Sequence, residues 1–295
     1  MTNRSTIAII GAGRAAHVLG TALARAGYEV VAVASRKLAS AESVATAVRD
    51  AGYARCLVVS VQGAADAAAL VLITTNDGAI GGVAGEVSWK HGQAVVHVSG
   101  ALGADVLAPA AAKGARVASW HPFQTLAGSA RLDGATFGIE AGEDLYEELA
   151  EMARAVGGEP LAVPADARAL YHAASVLACG YLTTLLREAR RVWQAAGLPE
   201  EEGRRAIGAV AAATLENFRT LGENATVTGP VSRGDAGTVR LHLEELERVA
   251  PELINLYTAI SRRSAVLASE AGRPTGPLNM WDALYGEFQG QVEKE

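Results

Sequence analysis

Two short segments place histidine and serine where a small molecule could bind. His97 and Ser99 belong to the apolar run AVVHVS, and His121 follows the run ARVASW. Such continuous apolar runs are typical of buried strands, and ligands bind at the carboxyl ends of these strands. Imidazole exchanges protons near neutral pH. We therefore predict that His121 and Ser99 are catalytic residues that orient the reacting group, and that Gln124 binds substrate; a purely structural histidine is the alternative.

A third segment, RALYHAASVLACGYLTTLL, is an apolar run that also carries small polar groups. Residues three and four apart share one face of a helix. This spacing is predicted to align five side chains, Arg168, His172, Ser175, Cys179 and Thr183. The leucines elsewhere on the helix are predicted to supply core, namely Leu170, Leu177, Leu182 and Leu185. On spacing alone, His172 and Ser175 either face a substrate or form hydrogen bonds inside a helix bundle.

The N-terminal stretch has the pattern of a dinucleotide-binding turn. The strand TIAII runs into GAGRAA, and the helical run HVLGTALARA follows. In such a turn the first glycine permits the tight bend, the second admits a pyrophosphate, and a small third residue lets helix and strand pack closely. The predicted cofactor contacts here are Gly11, Ala12, Gly13, Arg14 and Ala15. An ordinary Ala/Gly-rich turn without a ligand is the alternative.

The second strand indicates which nucleotide binds. An NAD site usually has a carboxylate at the end of this strand, whereas here the strand ends in Ser35, Arg36 and Lys37. A hydroxyl and two cations suit a 2′-phosphate, so the sequence predicts NADP(H). Arg36 and Lys37 could instead be solvated loop residues.

The fourth strand ends in TTNDGAI. Its residues Thr74, Thr75 and Asn76 are predicted to approach the ribose or nicotinamide half of the cofactor. Asp77 is expected to cap the helix that follows.

The segment TVTGPVSRGDAGTVRLHL is a third candidate constellation. Gly229 and Pro230 break the chain, and Asp235 is well placed to cap the helix beginning near Ala236. Arg233 is predicted to bind a substrate carboxylate, because guanidinium pairs well with carboxylates. Arg233 could instead pair with Asp235 and brace the loop.

The composition excludes several classes of protein. Half of the 295 residues are hydrophobic and the formal net charge is -6, with no basic block, so nucleic acid is not an expected partner. No apolar run reaches ~18 uninterrupted residues, so no membrane partner is expected. The two cysteines, Cys56 and Cys179, are too few and too distant for a metal motif, and no metal site is predicted. With no export signal, we expect a cytoplasmic protein.

The order of elements predicts an α/β protein with two domains. Strands are predicted at 6–10, 29–34, 56–60, 70–75, 94–99 and 115–120, alternating with helical runs such as 16–26 and 39–51. This alternation is typical of a Rossmann-like doubly wound parallel sheet. Long helical runs follow at 166–196, 200–221, 236–248, 251–272 and 279–286. We predict a Rossmann-like domain over 1–163 and an all-α domain over 164–295.

These motifs together resemble those of a known family. The segments GAGRAAHVLG, HVSGAL, SWHPFQTL, ALYHAASVLA and TGPVSRGDAGTVRLHL resemble Rossmann-like proteins with a DUF2520 C-terminal domain. That family is similar to pyrroline-5-carboxylate reductase, ketopantoate reductase and the 6-phosphogluconate dehydrogenase class. The resemblance implies a C-terminal domain of the 6-phosphogluconate dehydrogenase type that forms a homodimer, and a first long helix that faces the nicotinamide and carries the catalytic acid. By position that acid is His172. Gly180 stands where the resemblance leads us to expect Asn, so no substrate is transferred.

The sequence therefore predicts an NADP-dependent oxidoreductase. Hydride would pass between the nicotinamide and a carbonyl or imine carbon of a small, carboxylated substrate. Two alternatives remain open at this point: an NADPH-binding sensor without catalysis, and a reductase that uses deazaflavin F420.

Overall fold

The computed structural model describes residues 4–126 and 131–289, which form two compact units. Unit 1 spans 1–180 and unit 2 spans 181–295. The division falls inside a long helical stretch, after the predicted domain boundary at residue 163. That predicted boundary stays a prediction.

Unit 1 is built on one sheet of eight strands in the order β3-β2-β1-β4-β5-β6-β7-β8. The strands are β1 (Ile7–Ile10), β2 (Val30–Ala34), β3 (Leu57–Val58), β4 (Leu70–Ile73), β5 (Ala94–His97), β6 (Arg116–Phe123), β7 (Thr136–Ala141) and β8 (Glu159–Ala162). The first six have the strand order of a doubly wound dinucleotide-binding sheet, and the direction of winding reverses between β1 and β4. The predicted Rossmann-like α/β class is confirmed.

The helices of unit 1 cover both faces of the sheet. They are α1 (Arg14–Arg25), α2 (Leu38–Asp50), α3 (Val61–Ala67), α4 (Asp77–Glu86), α5 (Ala108–Ala111), α6 (Glu143–Ala155) and α7 (Arg168–Val176). Successive strand residues point to opposite faces. Ile7 and Ile9 of β1 therefore join the core beneath α1, α2 and α6, while Ala8 and Ile10 join the core beneath α3, α4 and α5. This two-sided burial accounts for the continuous apolar runs in the sequence.

Two strands of the sheet were not predicted. β7 pairs antiparallel with β6, and β8 pairs parallel with β7 at the edge. Their sequences, TFGIEA and EPLA, carry glutamates and a proline, and β8 is mostly exposed. These residues interrupt the apolar run that identified the central strands. Strand β6 pairs with β5 only as far as Ser119, and beyond that point it continues to Phe123 alongside β7. β7 therefore supports the part of β6 that carries His121.

Unit 2 contains helices and no strand among its described residues. Its helices are α8 (Leu182–Ala195), α9 (Glu200–Leu221), α10 (Glu223–Thr226), α11 (Ala236–Val249), α12 (Ile254–Glu270) and α13 (Leu278–Gln289). Its core includes Val239, Leu243, Ile254, Trp281 and Tyr285. The predicted all-α second half is confirmed, whereas its likeness to the 6-phosphogluconate dehydrogenase C-terminal domain stays a prediction.

Candidate functional site

The glycine-rich turn connects β1 to α1 at the point where the sheet reverses direction. Gly11 has φ +115°, and a Cβ there would lie 2.7 Å from Thr74 Oγ1 and 2.8 Å from the Thr75 backbone nitrogen. Only glycine fits both the backbone conformation and the contact. Gly13 precedes α1 and is exposed, and a Cβ there would meet nothing within 4 Å. The N-terminus of α1 is therefore open to an anion.

The end of β4 lies directly against this turn. Thr74 is buried and its hydroxyl donates to the Ile10 carbonyl at 3.4 Å. Thr75 Oγ1 is buried without a hydrogen-bond partner. A buried hydroxyl normally has a partner, so Thr75 fits a polar group of a ligand held between β1 and β4. Asn76 occupies the N-cap position of α4, and Asp77 is the first helical residue, so the expectation that Asp77 is the cap was wrong.

The predicted phosphate-binding residues follow β2. The Ser35 hydroxyl accepts from the Lys37 backbone N–H at 3.3 Å, and α2 begins at Leu38. Arg36 and Lys37 are exposed, and neither forms an ion pair within residues 4–126 and 131–289. Two unpaired cations at a helix N-terminus can bind a phosphate. Arg14, the first residue of α1, is likewise exposed.

The segment after β5 is fixed by hydrogen bonds of its own. The Ser99 N–H donates to His97 Nδ1 at 3.2 Å, so His97 carries its proton on Nε2, which lies 3.0 Å from the Gly103 carbonyl. The Ser99 hydroxyl accepts from the backbone N–H groups of Ala101 and Leu102, both at 3.2 Å. His97 is fully buried, and its two hydrogen bonds hold the loop in place. His97 therefore has a structural role.

Two other histidines meet at Gly100, in the middle of this segment. A Cβ on Gly100 would lie 2.6 Å from His172 Cδ2 and 2.7 Å from His121 Nε2. The two imidazole rings have centroids 6.1 Å apart and are nearly perpendicular. Strand β6 supplies His121 and helix α7 supplies His172. The missing side chain of Gly100 is thus what allows both rings to approach the end of β5.

Tyr171 is a member of this group that the sequence did not single out. Its hydroxyl lies 2.9 Å from His121 Nδ1 and 3.3 Å from the His121 carbonyl. The tyrosine precedes His172, and nothing in its spacing separated it from an ordinary core aromatic. Its role appears only because β6 and α7 are in contact.

The electrostatic surroundings keep His121 neutral. Burial lowers the pKa of His121 to about 4, and the neighbouring His172, Arg168 and His97 act in the same direction. Burial also lowers the pKa of His97, which the hydrogen bond to Gly103 opposes. For Tyr171, burial raises the phenol pKa and the charge of Arg168 opposes the rise. At neutral pH His121 can therefore accept or donate a hydrogen bond without carrying charge.

The remaining predicted substrate residues lie in different places. Gln124 is exposed, and its amide bonds to the Arg131 carbonyl at 3.2 Å and the Thr125 N–H at 2.8 Å. Ser175 is half-buried on the His172 face of α7. Arg233 is exposed and belongs to unit 2. The substrate-binding roles of all three stay predictions.

The cap predicted beside Arg233 is confirmed. Asp235 accepts from the Thr238 N–H at 3.0 Å at the start of α11. The Thr238 hydroxyl also donates to Asp235, at 2.7 Å. The two hydrogen bonds lower the pKa of the Asp235 carboxyl, and the charge of Arg233 adds to the effect.

The prediction that the leucines of the long apolar helix supply core was wrong for most of them, because they are exposed. Leu170, Leu177 and Leu185 are 79%, 63% and 40% exposed in the single chain, whereas Arg168 is 2% exposed. The polar face of α7 packs on the sheet, so the apolar face is left outside. The stripe also does not continue as predicted, because Leu177–Tyr181 forms a π-helix. The wider π turn changes the spacing that places residues three and four apart on one face, so the regular spacing behind the prediction is interrupted at Leu177–Tyr181.

The helical stretch Ala165–Ala195 is long and apolar enough to cross a membrane by length and composition alone. Its most apolar window has mean hydropathy 1.4 and is not buried. Its alanines raise the mean hydropathy although the stretch contains no long uninterrupted apolar run. The core helix of a water-soluble protein can pass the same test, so the absence of a membrane partner stays a prediction.

Metal-binding side chains do not cluster in the described parts of the chain. Within residues 4–126 and 131–289, no three His, Cys, Asp or Glu side chains are placed to hold a metal ion.

Family models identify both halves of the chain. A Rossmann-like domain matches residues 1–122, and the domain of unknown function DUF2520 matches residues 135–264. The two matches confirm the predicted resemblance. No curated protein matches the sequence.

Solved structures share this fold at low sequence identity. A Bacteroides fragilis protein, provisionally assigned as an NADP oxidoreductase, is 22% identical, with TM-score 0.73 over 89% of this chain and 98% of its own. The pyrroline-5-carboxylate reductase of Streptococcus pyogenes is 16% identical, with TM-score 0.64 over 92% and 99%. The reductive aminase of Aspergillus terreus, in complex with NADPH and ethyl-5-oxohexanoate, is 15% identical, with TM-score 0.61 over 99% and 95%. Likeness at this level shows the fold.

The low pKa of His121 predicts how stability depends on pH. Between about pH 6.5 and about 4 the unfolded chain binds a proton at this residue that the folded chain does not bind. The free energy of unfolding should therefore decrease as the pH falls through this range. His121→Asn should show a smaller decrease than the wild type in urea unfolding at a series of pH values. Equal decreases in the two proteins would show that His121 is not held neutral.

Proposed function

We propose that this chain, which joins a Rossmann-like domain to a DUF2520 domain, is an NADP-dependent oxidoreductase. Its substrate would be a small carboxylated molecule with a carbonyl or imine carbon that exchanges hydride with the nicotinamide. The observation that carries the proposal is the meeting of His121 and His172 at Gly100. This group lies at the carboxyl edge of the same sheet as the glycine-rich turn, which is where a doubly wound fold binds its ligands.

The residues around the turn fit NADP(H). Gly11 and Gly13 leave room for the pyrophosphate at the start of α1, and the unpartnered Thr75 hydroxyl suits a polar group of the dinucleotide. Arg36 and Lys37, together with Ser35, would hold the 2′-phosphate. Ala12, Arg14, Ala15, Thr74 and Asn76 would complete the cofactor site. When bound, the nicotinamide supplies or receives the hydride.

The protein would handle the proton and the orientation of the substrate. His172 would give a proton to the reduced oxygen or nitrogen, or take it back in the reverse direction. Neutral His121, held by Tyr171, would orient the reacting group by a hydrogen bond from beside Gly100. Ser99, Ser175 and Gln124 would contact the substrate as it is positioned for hydride transfer. Arg233, from this chain or a partner subunit, would hold the substrate carboxylate.

The named structural relatives support the class of reaction. Pyrroline-5-carboxylate reductase and reductive aminase are both reductases, and one of these structures contains NADPH. Polar groups around Gly100 support an enzyme over a sensor, because a sensor has no need of proton donors beside the nicotinamide. The sensor and the F420-dependent reductase remain as outcomes of the cofactor test.

A homodimer through the helical half is part of the proposal. Helix α9 has only Gly203 buried, and its Val210, Leu215, Phe218 and Leu221 are all more than half exposed in the single chain. A row of exposed apolar side chains on one long helix is unusual for a monomer and is typical of an interface. A second copy of the chain is the occupant we propose for this helix.

The cofactor can be tested at the β2 end. Replacing both cations in Arg36→Ala/Lys37→Ala should weaken NADPH binding by about 10-fold to 100-fold, because charged hydrogen bonds to the 2′-phosphate are lost. NADH binding should change little. Thermal shift with NADPH, NADH and F420 measures the preference directly. The matched control is Arg25→Ala, which removes an exposed arginine from the far end of α1. Stabilisation of the wild type by NADH or F420 alone would overturn the choice of NADP.

The catalytic role of His172 has its own test. His172→Ala should still bind NADPH, but oxidation of NADPH with a panel of cyclic imines and 2-oxo acids should slow by about 10²-fold to 10⁴-fold, as expected for a lost general acid. His91→Ala, at an exposed position, serves as the control. An unchanged kcat would remove His172 from the chemistry.

The proposed dimer predicts the mass in solution. Sedimentation equilibrium should give twice the chain mass of 30.4 kDa. Leu215→Glu/Phe218→Glu should give the single-chain mass, because burying two carboxylates in an apolar interface is costly. Arg204→Glu reverses the charge of an exposed residue near the start of the same helix and should leave the dimer intact. A wild type with the mass of one chain would refute the dimer.

A further inference from the structure

Arg168, at the start of α7, is a buried charge that the reaction described above does not use. It is 2% exposed and is among the largest fully buried side chains in the described residues. One of its nitrogens, Nη2, lies 3.3 Å from Glu140 Oε2. Its other two side-chain nitrogens, Nε and Nη1, are buried without a hydrogen-bond partner.

The ion pair connects three elements of the site. Arg168 belongs to α7 together with Tyr171 and His172, and Glu140 belongs to β7. The other oxygen of Glu140 accepts from the Ala104 N–H at 3.1 Å, in the loop that begins with Ser99 and Gly100. The guanidinium carbon also lies 5.7 Å from the centre of the Tyr171 ring.

Stability alone does not account for this arginine. Burying a guanidinium requires it to lose its hydration, and here a single carboxylate replaces only part of the lost hydrogen bonds. Apolar residues of similar volume often replace such a buried pair without loss of stability. What the arginine has that an apolar side chain of similar volume lacks is its charge and its fixed hydrogen-bond geometry.

We propose that Arg168 is a positioning residue of the histidine pair, anchoring α7 to β7 and to the β5 loop and holding a fixed positive charge beside His121 and Tyr171. The effect of Arg168 on the reaction rests on the proposed function, whereas its effect on the position and titration of the histidine pair does not. His121 is faced by Arg168, Tyr171 and His172 from α7, by His97 from β5, and by Glu140 through Arg168. In this setting Arg168 disfavours a proton on His121 and favours release of a proton from Tyr171.

The test is the titration of His121 in the full-length protein without cofactor. Arg168→Met keeps the length of the side chain and removes its charge, so the midpoint of His121, followed by NMR of its imidazole, should rise above the wild-type value. Arg168→Lys restores a charge and should return the midpoint toward that of the wild type. Arg116→Met is the matched control, because it breaks another Arg–Glu pair of unit 1, on the same strand as His121. It should leave the midpoint of His121 unchanged.

The outcomes separate this inference from the proposed function. An unchanged His121 midpoint in Arg168→Met, or the same midpoint in the Met and Lys variants, would overturn the role of Arg168. If Arg168→Met does not fold, Arg168→Met/Glu140→Leu removes both charges and should still raise the midpoint. The titration needs no substrate, so it can succeed where no NADPH-dependent turnover is found. With a substrate, kcat/KM of Arg168→Met should fall by about 10-fold to 100-fold, with partial rescue by lysine.

Discussion

Helix α7 lies on the sheet of unit 1 with its polar side chains inward, because the Arg168 guanidinium is buried against Glu140 of β7. Breaking a buried ion pair by removing one partner costs about 3–5 kcal/mol, since the other charge is left without a partner. Rotation of the helix about its own axis would separate the pair and leave Glu140 without its arginine. The orientation places Tyr171 and His172 over the end of β6 and turns Leu170 outward.

The two sets of candidate residues are linked by the sheet itself. Parallel strands end at one edge, so the turn after β1, the end of β4 and the loop after β5 lie side by side. Two glycines determine how closely the parts can approach. Gly11 lets the glycine-rich turn contact Thr74, and Gly100 lets the two imidazoles meet at the end of β5. A side chain at Gly11 would push against the backbone of Thr74 and Thr75. A side chain at Gly100 would push against the two imidazole rings.

The inward polar face has a consequence for the outer surface. Half of the sequence is hydrophobic, and part of that apolar surface stays exposed in the single chain. The exposed part includes the apolar side of the stretch Ala165–Ala195 and the apolar side chains of α9. Exposed apolar rows of this size are rarely left in contact with water. The same surface that makes one helix resemble a membrane span by composition is what a dimer interface requires. The hydropathy of a helix does not distinguish these two environments, because both remove apolar area from water.

The sequence by itself determined the local pattern of strand, turn and helix on which the proposed cofactor site rests. A strand, a glycine-rich turn and a helix are adjacent in the chain, so their pattern is local and could be read directly from residues 6 to 26. It also identified His121 and His172 as candidates, because their positions relative to predicted elements were informative. Only the tertiary structure decided which groups surround them. Tyr171 meets His121 across 50 residues of chain, and Arg168 meets Glu140 across 28. Gly100 meets both histidines. The antiparallel strand β7, which the sequence pattern did not predict, supports this arrangement. The leucines of the long helix were misassigned for the same reason: periodicity shows that a helix has two faces, but the side that becomes buried depends on the charge or surface that packs against it.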